Sequence, residues 1–162
     1  MQISLLLFKW ASARMTENEF WSRIAKIDVK ALNAGAEDDA VQPLIENLAK
    51  LTPNEIEQFE EFLARQLYGL DAEVYADSAG DSGKSGDGFL YARCFVVASG
   101  RAFYETVLAD PSKFPDSIEK WCEPLLYVAQ RAWAEVTGKS EENWNYFPSV
   151  SYETGSNSER WS

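Results

Sequence analysis

The stretch TPNEIEQFEEFLARQLYGL, residues 52–70, decides the fold class. Thr52-Pro53-Asn54-Glu55 is a capping box with proline at the first helical position, where a missing N–H costs nothing. Ile56, Phe59, Leu63, Leu67 and Leu70 then recur with the 3.6-residue period, while Glu55, Glu57, Glu60, Glu61 and Arg65 fall on the wet side. This is an amphipathic helix, and its neighbours follow the same grammar.

Working outward, Thr16-Glu17-Asn18-Glu19 repeats the capping box, with Met15 placed to staple against Phe20. Phe20, Ile24 and Ile27 share a face beyond it. Between these two segments Leu44, Ile45, Leu48 and Leu51 outline a further helix, in which Pro43 is expected in the first turn. On the other side, residues 89–99, FLYARCFVVAS, are apolar almost all round and end at Gly100. Periodicity alone leaves a buried strand open for so short a run, but a central helix with a glycine stop is the favoured reading. A short helix from Arg101 should stop at Asp110-Pro111, because the residue before proline is pushed out of helical geometry. A last helix, from about Ile118 to Thr137 and closed by Gly138, places Trp121, Leu125, Val128, Ala129, Ala132 and Val136 inward.

The expectation is therefore a compact, predominantly α domain over residues 15–138, preceded by a segment 1–14 and followed by a tail, 139–162. The tail is polar and serine-rich. Its Trp144, Tyr146, Phe147, Tyr152 and Trp161 are nevertheless too many aromatics for a disordered end, so part of it should lie extended along the helices. The segment 1–14 fits a secretory leader poorly, since no basic residue precedes its apolar run; an early start codon or a packed extension reads better.

Composition narrows the function classes. A chain of 162 residues can bury a substantial core without metal or disulfide staples, and no apolar run approaches the roughly 20 residues of a membrane helix. With no histidine at all, Ser-His-Asp and Cys-His catalysis and histidine-bearing zinc sites are excluded. Cys94 and Cys122 lack C-x-x-C spacing and read as reduced core thiols of a cytoplasmic protein. No cofactor or metal is expected.

SAGDSGKS, residues 78–85, differs by one residue from a phosphate-binding loop, yet its context argues against one. No strand-like run delivers it, and Asp77, Asp81 and Asp87 would repel a triphosphate. The aspartates do not alternate as a calcium loop requires, and its closing glutamate is missing. The plain expectation is a surface loop whose Ser85 or Asp87 caps the central helix.

At this loop a resemblance appears. Ser85-Gly86-Asp87-Gly88-Phe89, then Arg93, Phe95, Gly100-Arg101, Tyr104, Leu108 and Pro111, resemble the signature of the bacterial domain-of-unknown-function family 4240, with Gly86 and Phe95 as departures from its usual Asp and Trp. Met15 to Trp21 and Cys122 to Ala129 are similar to that family's two ends. The resemblance implies a small, mainly helical cytoplasmic bacterial protein, of a family with members sometimes found in the company of toxin–immunity systems.

Charge adds an independent clue. The chain carries 15 basic and 26 acidic residues, and residues 37–81 hold twelve acids against Lys50 and Arg65. Nucleic-acid binding needs a basic footprint, which is missing. A concentrated negative face instead suits a basic protein partner, so an immunity-type or adaptor role is expected, with Glu57, Glu60, Glu61, Asp71 and Glu73 as the partner-binding residues. The rival is a small enzyme or ligand binder around Ser85, Asp87, Gly88 and Arg93. Glu105, Glu123, Cys94 and Cys122 complete the polar candidates, though nothing in the sequence gathers them into one cleft, and oligomeric state is open.

Overall fold

The computed structural model describes residues 14–162, so the expectation for the segment 1–14 lies, Arg14 apart, outside the described residues. The described residues form eight α-helices joined by short 3-10 turns, with no strand among them. They are α1 (Glu17–Ile24), α2 (Val29–Asn33), α3 (Glu37–Leu48), α4 (Pro53–Gly69), α5 (Glu73–Ser78), α6 (Gly86–Ala98), α7 (Arg101–Ala109) and α8 (Val128–Thr137). The described residues are all-α, the class favoured from the sequence.

Local chemistry starts and stops these helices where the sequence predicts. Thr16 and Thr52 each accept from the amide three residues on, and Glu19 and Glu55 close both capping boxes. Gly138 ends α8 in the left-handed conformation, φ 70°, which disfavours side-chain-bearing residues. Helix α6 is the centre of the molecule, with Phe89, Ala92, Cys94, Val96 and Val97 fully buried. Helices α3 and α4 both pack on α8, and α1 docks against them through Phe20, whose ring lies 5.0 Å from that of Phe59.

Two expectations are corrected. Pro43 sits in the interior of α3, not in its first turn. Its ring removes the hydrogen bond that would reach the Asp39 carbonyl, and Asp39 lies at the surface, where solvent is within reach of the freed group. The final helix does not begin near Ile118, which is exposed; a 3-10 turn over Glu123–Tyr127 precedes it and α-geometry starts at Val128. Pro124 contributes to the delay, since its ring disfavours α geometry at Glu123.

The glycine-rich stretch forms a 3-10 turn, Gly80–Lys84, folded tightly beneath α5. A Cβ on Gly83 would stand 2.0 Å from the Ala76 carbonyl oxygen, whereas one on Gly86 would meet nothing nearer than the Thr154 Cβ at 3.7 Å. Gly83→Ala is therefore expected to cost about 2–3 kcal/mol through forced backbone displacement, and Gly86→Ala close to nothing. Urea denaturation of the two variants checks this; equal midpoints would contradict the close approach.

Candidate functional site

The tail, residues 139–162, returns across α4, α5 and α6, and carboxylates hold it there. Asp71, fully buried after α4, accepts from the amides of Gly155 (3.0 Å) and Asn157 (2.9 Å) and from the Trp161 indole (3.0 Å). Glu61 accepts from the Tyr146 hydroxyl, from both the amide and hydroxyl of Ser149, and from Arg65. Burial pushes the Glu61 carboxyl up, but these four donors outweigh it and hold the group at about 2. Glu73 in turn accepts from the amide and hydroxyl of Ser162.

This corrects the expected partner-binding set. Glu60 and Asp71 are buried, Glu61 and Glu73 are partly exposed but engaged by the chain's own tail, and Glu57 is half-buried without such a tether. The helical period is not at fault. At Glu60 and Glu61 the side of α4 that it assigns to water is covered by a segment some 85 residues away, and the one sequence signal of that cover was the aromatic content of the tail.

Beneath the tail lies a cavity of about 360 Å³. Glu60 and Leu126 line its inner wall, and Tyr127, Trp144, Tyr146, Tyr152 and a largely exposed Phe147 line the rest with Gln130, Pro148, Val150, Ser151 and Glu153. Glu60 is 5% exposed, and its Oε2 has no hydrogen-bond partner. Desolvation alone pushes its carboxyl up to about 8, so it holds its proton at neutral pH. Sequence reasoning missed this site because it needs the tail as its outer wall.

The loop candidates do not converge. Ser85 caps α6, accepting from the Gly88 amide at 3.0 Å, which is the role the sequence suggested for it. Gly88 is buried where a Cβ would stand 2.8 Å from Ser85 Oγ and 2.9 Å from the Ser82 carbonyl oxygen. Asp87 is exposed in the first turn of α6. Arg93, nearly two turns on, is fully buried, donating to the Leu67 carbonyl oxygen (2.9 Å) and Thr154 Oγ1 (3.0 Å) with its guanidinium 4.8 Å from the Phe89 ring. Its Nε lacks a partner. Arg93 thus reaches the tail rather than Asp87. Lys84, the residue that would grip a phosphate, is tied to Asp81 at 2.6 Å on the surface.

The thiols are equally committed to packing. Cys94 and Cys122 are free and buried, and burial raises both, Cys122 to about 12, which leaves little thiolate at neutral pH. Glu105 is exposed and paired with Arg101.

A second hollow, of about 590 Å³, lies at the start of α3. Glu37, Asp38, Asp39 and Glu123 line it together with Tyr127, and among the described residues Arg131 is the one cation on its lining. Glu37 accepts from the Glu123 amide at 3.2 Å; desolvation, together with the neighbouring Asp38 and Glu123 charges, raises its carboxyl. Tyr127 belongs to this hollow and to the Glu60 cavity alike, so the two adjoin.

A family model described as protein of unknown function (DUF4240) matches residues 15–135. No curated protein and no solved structure matches the chain.

Proposed function

We propose, from the premise that this chain belongs to the family described as protein of unknown function (DUF4240), that it is a small binding module for a basic protein partner, of the immunity or adaptor kind. The observation that carries this reading is the imbalance in the hollow at the start of α3, where four carboxylates meet a single guanidinium. Like charges held together in a concave surface raise the local potential, speed encounter with a cationic partner and reject acidic ones. The net charge of −11 acts in the same direction at longer range.

The surface differs from the one the sequence suggested. Carboxylates already engaged by the tail have little left to offer a partner, whereas Asp38 and Asp39 are exposed. Binding would occlude the partner's basic site instead of transforming a substrate.

The test is retention of a basic protein on the immobilised chain at low and then high salt. We expect retention at low salt, release at high salt, and loss with the pair Asp38→Lys and Asp39→Lys but not with Glu57→Lys. Because lysines in a first helical turn oppose the macrodipole, circular dichroism must first show the pair folded, and Asp38→Asn with Asp39→Asn serves if it is not. Retention that ignores both pairs refutes the reading.

A further inference from the structure

We propose that the cavity between α4 and the tail is a binding site for a compact alkylammonium ion, with Glu60 as its counter-charge and Trp144, Tyr146 and Tyr152 as its aromatic walls. The site is costly to build. A carboxyl that is 5% exposed and leaves one oxygen unpartnered is a burden on folding that a methionine or leucine at the same helical position would not impose. Such groups are characteristic of sites that complete themselves with a ligand.

The surroundings specify which ligand. Five of the lining residues, Tyr127, Trp144, Tyr146, Phe147 and Tyr152, are aromatic, and their ring faces carry the negative side of the quadrupole. Trp144 is held in place by Trp133, 5.7 Å away and edge-on, and lies 6.0 Å from Tyr146. Among the described residues none of those lining the cavity is Lys or Arg. The titratable groups around Glu60 are Tyr146 and Tyr152 from the tail and Cys94 from α6, all neutral at pH 7, with Tyr127 and the Glu153 carboxylate also on the wall. Everything facing Glu60 is thus neutral or negative. A cation is the one class of ligand that gains from both the ring faces and the carboxylate. At about 360 Å³ the space suits a tetraalkylammonium head or a methylated amine, not a nucleotide.

Occupancy couples to a proton. Glu60 is protonated when the cavity is empty at pH 7, and the ion pairs with its carboxylate, so binding releases about one proton. Affinity should rise roughly tenfold with each unit of increasing pH up to about 8 and level off above it.

The probe is tetramethylammonium chloride at constant ionic strength, followed through the indole resonance of Trp144. We expect a saturable shift, the pH profile just described, and at least a tenfold loss of affinity with Glu60→Gln. Neopentyl alcohol, similar in bulk but uncharged, should not bind wild-type protein, and this control stands whether or not the variant folds. Comparing choline with an N-acetyl-trimethyllysine amide tells whether the head arrives free or on a peptide. Absence of saturation, equal binding of the alcohol, or affinity indifferent to pH would each overturn the proposal. None of these readings involves a protein partner, so their outcome is separate from that of the retention experiment.

Discussion

Glu60→Gln is expected to stabilise the protein at alkaline pH and to leave it almost unchanged in mild acid. In the folded state the carboxyl keeps its proton up to about 8, whereas in the unfolded chain it ionises near its ordinary value of 4.5. Between those limits the unfolded state binds fewer protons, so stability is intact below the lower value and falls as pH rises toward the upper. The span of three to four pH units corresponds to roughly 4–5 kcal/mol lost by about pH 9. Glutamine keeps the shape but cannot ionise; its amide carries a desolvation cost of about 1–3 kcal/mol, comparable to that of the neutral carboxyl and independent of pH. The variant should therefore match wild type within about 1 kcal/mol near pH 5 and exceed it by roughly 3 kcal/mol near pH 9, or ~6–12 °C in Tm. Thermal scans across that range decide the matter. Parallel curves would mean that Glu60 titrates in the folded state as it does unfolded, and the account of the cavity would fall.

The second large effect is expected at Asp71. Alanine there strips the acceptor from three donors at once, the Gly155 and Asn157 amides and the Trp161 indole. It also removes the carboxylate whose charge favours the buried Arg93 guanidinium. Taking one partner from a buried network of this kind costs about 3–5 kcal/mol, because what remains is desolvated and unpaired. We expect a loss of that size in urea denaturation, together with red-shifted tryptophan emission and new protease cleavage within residues 153–162 as Trp161 leaves its edge-on contact with Phe89. Asp71→Asn, which keeps an acceptor, should fall in between. A cost under about 1 kcal/mol with the tail still protected would show that the aromatic contacts suffice without the carboxylate.

The contrast between these two carboxylates shows where sequence reasoning reached and where it stopped. Helix limits set by local chemistry were legible: Thr16, Thr52 and Ser85 as caps, Gly138 as a left-handed stop, Asp110-Pro111 as an end. The helical fold class and the burial of 89–98 followed from periodicity and from its absence. The roles of Glu60 and Asp71 were not legible, because each depends on residues 70 to 90 positions further along the chain. A helix pattern reports which face is apolar; it does not report that a later aromatic segment will roof the polar one. The delayed start of α8 was legible in principle, through Pro124, and Pro43 shows the converse, a local signal overruled by packing on both sides of α3.

The clasp at Asp71 also bears on the order in which the molecule closes. Its donors, Gly155, Asn157 and Trp161, lie 84 to 90 positions further along the chain, whereas α4 and α6, with Asp71 and Arg93 beside them, are set by nearer contacts. Until the tail docks, those two charges keep water as their company, and the helical body stays open at that corner. Docking of the tail is therefore the step that dries the corner, and an intermediate that lacks it should exchange its Asp71-side amides with solvent while the apolar core is already protected.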